Sequence, residues 1–284
     1  MIISNYRQDI KTFMDISFSN GNTYISRDGL FEPSKTFDCG QCFRFERCEG
    51  GWQGIAMGRL LMVLDGGDMI ALVGVDEPEY RRIWESYFDL DRDYGEINAA
   101  LSRDAVVRNA LNSAKGIRIL RQDRWETLCS FIISQNNNIP RIKGIIGRLC
   151  EAFGERIDGG YAFPSADRIA SLTEEQLAPI RSGFRARYIL DAARRVTDGR
   201  TDLDAVSAMS YDDAKKYLMQ IKGVGNKVAD CVLLFGYGFF DAFPKDVWIK
   251  RVIEKYYGEN FDESIFKPYG GIAQQYLFYS ERGF

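Results

Sequence analysis

Between residues 23 and 75, apolar and polar positions alternate in short runs rich in β-branched and aromatic side chains. Thr23-Tyr-Ile, Cys42-Phe-Arg-Phe, Trp52-Gln-Gly-Ile-Ala-Met, Leu60-Leu-Met-Val-Leu and Met69-Ile-Ala-Leu-Val each fit a strand with one buried face. Gly50-Gly51 and Asp65-Gly-Gly67 supply turn chemistry between them. The pattern predicts an antiparallel sheet.

From Asp76 onward the apolar spacing becomes helical, with helices expected over 77–88, 94–101 and 104–114. Asp123 with Glu126 forms a capping box ahead of an apolar helix at 128–134, and Pro140 suits the first turn of the next helix, which Gly154 ends. Thr173 is expected to cap a short helix before Pro179. A further helix at 184–196 should stop near Gly199, and Ser210 with Asp213 should open one that reaches Ile221. A last helical run is expected over 247–257, behind Asp246. The class is therefore α+β: a sheet-rich lobe over 1–118, then a mainly α-helical region over 119–284.

Within the helical region, two apolar helices flank Lys222-Gly-Val-Gly-Asn226, giving a helix-hairpin-helix over about 211–235. Glycines permit positive φ and close backbone approach, and the first amides of the following helix are unpaired donors suited to a phosphate oxygen. A plain tight turn between antiparallel helices would use the same residues. Lys227 stands in the first turn of the second helix, where the dipole and partial burial both favour an uncharged, nucleophilic amine. Asp246 follows nineteen positions later and reads as a helix N-cap, a role compatible with a catalytic carboxylate.

Composition narrows the chemistry. The 284 residues are 45% hydrophobic and 27% charged, as in ordinary globular proteins, and no run of about 18 apolar residues suggests a membrane span; a cytoplasmic setting is expected. With no histidine, Ser-His and Cys-His catalysis and His-ligated metals are excluded, leaving Lys, Asp, Glu, Cys and Tyr as actors. The six cysteines are expected to be reduced. Cys39-x-x-Cys42 with Cys48 finds no fourth ligand at a suitable spacing, so neither a metal nor another cofactor is expected. A net charge of −3 argues against a generic nucleic-acid binder, but its distribution does not. Residues 1–100 hold 10 basic and 17 acidic side chains (10 − 17 = −7), 101–200 hold 17 and 11 (+6), and 201–284 hold 10 and 12 (−2). The middle third carries the positive field.

With these motifs in place, the chain resembles the helix-hairpin-helix superfamily of base-excision DNA glycosylases, and most closely its bifunctional 8-oxoguanine branch. The resemblance is carried by Gly40-Gln-Cys-Phe-Arg44, Ser134-Gln-Asn-Asn-Asn-Ile-Pro-Arg141, Gly183-Phe-Arg-Ala-Arg-Tyr188, Gly223-Val-Gly-Asn-Lys-Val-Ala-Asp-Cys231 and Ala273-Gln-Gln-Tyr-Leu-Phe278, in the family's order. It implies a TATA-binding-protein-like sheet domain, then two helical subdomains with the active site in the cleft between them.

By that resemblance Lys227 is the nucleophile that forms a Schiff base with the sugar, and Asp246 is the carboxylate that stabilises the oxocarbenium-like centre. The carbonyl of Gly40 would accept the N7 hydrogen that distinguishes 8-oxoguanine from guanine. Gln274 would read the Watson–Crick edge, and Phe278 and Cys231 would sandwich the base. Asn136 would enter the vacated stack and Phe184 wedge beside the orphaned base, which Arg141 and Arg185 contact. The hairpin, with Gly223, Gly225 and Val228, would hold DNA backbone. The partner is then double-stranded DNA containing 8-oxoguanine, bound by a monomer away from membranes. Three positions depart from the family: Lys222 where proline is frequent, Phe184 where many members have tyrosine, and Trp248 where eukaryotic members have histidine. Cysteines for an iron–sulfur cluster after the hairpin are absent. A non-catalytic helix-hairpin-helix DNA-binding protein, or a glycosylase for other damaged purines using the aspartate alone, are the competing readings.

Overall fold

The computed structural model describes residues 14–283. Six strands, β1 (Ile16–Ser19), β2 (Asn22–Ser26), β3 (Phe45–Cys48), β4 (Gly51–Ala56), β5 (Arg59–Asp65) and β6 (Met69–Val73), form one antiparallel sheet. Their order is β1-β2-β6-β5-β4-β3. The two-residue period predicted from the sequence is present: in β4, Trp52, Gly54 and Ala56 face inward while their neighbours face out. Register places buried residues opposite one another, Ile25 against Ile70 and Trp52 against Val63.

That inner face is covered by aromatic side chains. Phe37 stacks on Phe45 with centroids 4.0 Å apart and meets Phe88 edge-on at 6.1 Å. Trp84 and Tyr80 complete the layer from the helical run that starts at Glu77. Burying one such ring contributes about 1.5–3 kcal/mol. The run predicted over 77–88 is continuous, though its middle, Tyr80–Trp84, is a wider π turn.

Several local expectations change. Strand β1 and its hairpin were not anticipated, although Asn20-Gly21, both at positive φ, is the strongest short hairpin signal available. The helix Pro33–Asp38 was missed as well, as was the small hairpin of β7 (Arg156–Ile157) and β8 (Gly160–Tyr161). The strand expected from Cys42 begins only at Phe45. The reason is Gln41, fully buried, whose amide donates to the carbonyls of Thr36 and Arg118 and accepts from the Leu120 amide, pinning residues 40–44 outside the sheet. Thr173 and Gln176 exchange a reciprocal cap, but only a turn and the short 3₁₀ helix Ala178–Ile180 follow. The first hairpin helix, Tyr211–Leu218, ends before Ile221 because the last turn tightens into three-residue bonds.

The helical caps agree with the reading. Asp123 accepts from the Glu126 amide ahead of Arg124–Ser134, Asn138 from the Arg141 amide ahead of Ile139–Phe153, and Ser210 from the Asp213 amide. The hydrophobic cores divide the chain differently from a cut at 118/119. The sheet core takes in Leu120, whereas the helices Tyr94–Leu101 and Ala105–Ala114 belong to the core of the helical region, packed beside the closing helix Gly270–Arg282. The first and last helices of that core therefore pack on each other.

Candidate active site and nucleic-acid interface

A small cavity, open to solvent, lies between the two parts of the molecule, lined by Cys39, Gly40, Phe131, Lys227, Cys231, Phe235, Pro244, Asp246, Gln274, Gln275 and Phe278. Six of the residues expected at the chemistry and the base, Lys227, Asp246, Gly40, Cys231, Gln274 and Phe278, thus share one wall-to-wall space. They come from four separate elements.

Lys227 is the second residue of the helix Asn226–Val232 and is half-buried. Its Nζ donates to Ser134 Oγ at 3.3 Å and lies 5.1 Å from the centroid of the Phe131 ring. One helical turn on, Cys231 faces the same space. Burial pushes its thiol up to about 11, with neighbouring Lys227 opposing the rise. Asp246 is the N-cap of Val247–Val252, accepting from the Ile249 amide at 2.9 Å through Oδ1. That bond fixes the carboxylate's direction.

The base-reading side is built from the closing helix and the loop before β3. Gln274 is 4% exposed, and its Oε1 has no hydrogen-bond partner among the described residues. A buried acceptor left unpaired costs about 1–3 kcal/mol, so its place on a cavity wall points to a ligand that completes it. Its neighbour Gln275, also part of the lining, donates to the Cys39 carbonyl at 2.7 Å, fastening the loop at Gly40. Gly40 has φ +79°, and a Cβ there would touch the Phe278 ring and Ile139 at 3.5 Å. Arg282 covers the Phe278 ring at 5.4 Å.

The hairpin turn runs from Ile221 to Gly225. Gly223, at φ +81°, is obligatory, because a Cβ there would lie 2.5 Å from the Tyr188 ring. Gly225 is the N-cap of the second helix and has open space around it. The Val228 side chain is buried in the core, leaving its backbone amide as the group available near the helix start. Asp230, also buried, braces the two hairpin helices by accepting from the Tyr211 hydroxyl at 2.7 Å and pairing with Lys215 at 2.8 Å.

In the turn after the helix Arg124–Ser134, Asn136 adopts φ +45° and is exposed. Arg185, on the helix Arg185–Thr197, is 2% exposed: it donates to the carbonyls of Gln135, Asn136 and Ser182 and so holds the turn. Phe184 is 45% exposed, with the Arg185 guanidinium 4.4 Å from its ring, and Arg141 is exposed at the start of its own helix. Asn136, Phe184 and Arg141 therefore stand on the surface, while Arg185 is buried and holds the turn at Gln135 and Asn136.

Residues 24–128 match the 8-oxoguanine DNA glycosylase N-terminal domain, and residues 129–265 match the HhH-GPD superfamily of base excision DNA repair proteins. A probable N-glycosylase/DNA lyase of Methanothermobacter thermautotrophicus is 30% identical over 72% of this chain and 76% of its own length. The chain belongs to the 8-oxoguanine DNA glycosylase family of base-excision repair proteins. An N-glycosylase/DNA lyase of Saccharomyces cerevisiae is 38% identical over 51% of this chain, a match that spans 43% of the yeast protein. Among solved structures, the Clostridium acetobutylicum 8-oxoguanine glycosylase/lyase in complex with double-stranded DNA, with cytosine opposite 8-oxoguanine, superimposes with a TM-score of 0.89. It is 37% identical and covers 95% of this chain and 98% of its own. The fold expected from the resemblance, an antiparallel sheet domain followed by a helix-hairpin-helix region, is the one present.

Sequence reading did not single out Phe131, Phe235, Pro244, Gln275 and Cys39 as lining this cavity, nor Ser134 as the partner of Lys227. Ser134 and Gln275 adjoin residues already singled out. No helix of the described residues is long and apolar enough to cross a membrane.

Proposed function

We propose that the chain excises 8-oxoguanine from duplex DNA and then cleaves the strand at the resulting site. The observation that carries this reading is the convergence of an amine, a capped carboxylate and an unpaired buried amide oxygen, those of Lys227, Asp246 and Gln274, on one cavity. The damaged nucleotide leaves the stack and enters this space. Phe278 and Cys231 flank its ring, Gln274 reads its Watson–Crick edge, and the Gly40 carbonyl accepts from N7–H. Guanine, whose N7 is an acceptor, would put two acceptors face to face there.

The Lys227 nitrogen attacks C1′ through its lone pair. The N-glycosidic bond breaks and its electron pair leaves with the base, which takes up a proton, while the attacking nitrogen loses one. Asp246, held by its cap, offsets positive charge at the sugar as the bond breaks. The sugar ring opens to an imine on Nζ. Loss of a C2′ proton then expels the 3′ phosphate and cleaves the strand. Side chains supply each of these steps, and the reading calls for no cofactor.

Extruding the base costs a few kcal/mol, which Asn136 in the gap and Phe184 beside the partner base offset. Arg141 adds charge at that face, with Arg185 behind it, and the hairpin amides at Gly223, Gly225 and Val228 take a backbone phosphate. The protein acts as a monomer on DNA in the cytoplasm. A non-catalytic DNA-binding protein would leave the lining of the cavity unexplained, and an aspartate-only glycosylase would leave Lys227 unexplained. Borohydride with a duplex containing 8-oxoguanine tests the choice: a covalent protein–DNA adduct is expected, and base release without an adduct would refute Lys227 as nucleophile.

A further inference from the structure

Ser134 closes the helix Arg124–Ser134 and touches the amine assigned above as the nucleophile. Its hydroxyl donates to the Phe131 carbonyl at 2.8 Å, and its oxygen accepts from Lys227 Nζ at 3.3 Å. A serine has one hydroxyl hydrogen. With that hydrogen committed to the carbonyl, Ser134 is an acceptor toward the lysine and has nothing to donate to it.

The distinction matters for a neutral amine. Such a nitrogen carries two hydrogens and one lone pair in roughly tetrahedral directions. A group that donated to it would occupy the lone pair and block attack. A group that accepts takes one N–H and leaves the lone pair on another side. The Phe131 ring bounds a second side at 5.1 Å, and that ring is fixed by stacking on Phe235 at 5.4 Å and by the edge of Phe43 at 5.8 Å. Lys227 lines the cavity that Asp246 and Gln274 share, with the Cys231 thiol as a further neighbour of the amine.

We propose that Ser134 is a positioning residue for Lys227, an acceptor of fixed polarity that anchors the amine on the cavity wall and leaves its lone pair aimed at the sugar carbon. The inference rests on the reading of Lys227 as nucleophile. It assigns Ser134 no contact with DNA and no share in base recognition.

The test is Ser134→Ala and Ser134→Thr beside the full-length wild type, measured by single-turnover base release, borohydride trapping on a preformed abasic site, duplex affinity and melting temperature. A misplaced reacting group costs about 10²-fold. For Ser134→Ala, base release and trapping should therefore fall together by about 10–100-fold, with the duplex dissociation constant within about 3-fold of wild type. Threonine keeps both hydrogen bonds and should restore both rates to within about 5-fold, a rescue that general loss of structure would not give. If wild type traps and Ser134→Ala traps as fast, Ser134 does not position the amine. Loss of folding or of DNA affinity in Ser134→Ala, without rescue by threonine, would make Ser134 a helix-end residue and also overturn the inference. If wild type itself forms no adduct, the nucleophile assignment fails first.

Discussion

Arg185 donates to the carbonyl of Asn136 at 2.9 Å and holds an exposed asparagine at positive φ. The guanidinium also serves Gln135 and Ser182, so three inward-facing carbonyls depend on one planar fork. Arg185→Ala would strand them. The expected loss in denaturant unfolding is about 2–4 kcal/mol, with weaker binding to lesion duplex, and Arg185→Lys should recover little of either. Unchanged stability would mean that the turn holds itself.

Asp246 combines a cap with a proposed catalytic charge, and one substitution separates the two. Asparagine caps a helix as well as aspartate does, so Asp246→Asn should unfold within about 0.5 kcal/mol of wild type. Losing the charge should nonetheless slow single-turnover base release by about 10²–10³-fold. Lys227→Gln should abolish borohydride trapping and leave duplex affinity nearly intact. A trapped adduct in that variant would move the nucleophile elsewhere.

Gln274 predicts opposite signs for stability and binding. Its unpaired Oε1 gives the free protein nothing to lose, so Gln274→Leu should melt no lower than wild type. Affinity for 8-oxoguanine duplex should drop by about 10–100-fold, while affinity for undamaged duplex stays put. Equal losses on both DNAs would place Gln274 away from the base.

The two hairpin glycines should behave differently. Gly223→Ala meets the Tyr188 ring and an unfavourable φ, and about 1–3 kcal/mol of destabilisation is expected. Gly225→Ala has open space and should keep its stability within about 0.5 kcal/mol, yet weaken DNA binding if a phosphate approaches that amide closely. Titrations at several salt concentrations would read this directly.

Glu126 makes stability depend on pH. Burial lifts its carboxyl from 4.5 to about 7 despite the Arg44 guanidinium 3.2 Å away. A folded-state value above the unfolded one means that folding favours the protonated acid. The contribution is complete below about pH 4.5 and is lost as pH rises through about 7. The side chain is still 16% exposed, so the swing should be about 1–3 kcal/mol. Glu126→Gln, neutral throughout, should flatten the unfolding free energy between those limits.

The sequence by itself determined which chemistry was available and where the local elements lie. Without histidine, catalysis fell to lysine and carboxylate, and strand alternation, capping residues and the Gly-x-Gly turn follow from covalent geometry and near-neighbour bonds. Misreadings such as the strand start at Phe45 arose where a distant partner overrode local preference, as Gln41 does by bonding to Arg118 and Leu120. Tertiary structure alone decided that Lys227, Asp246, Gly40 and Gln274 line one cavity, that Gln275 ties to the Cys39 carbonyl, that Arg185 is buried behind the turn, and that Ser134 meets the amine. Those outcomes depend on how separate elements pack, and packing is set by contacts between residues far apart in the chain, which no local pattern encodes.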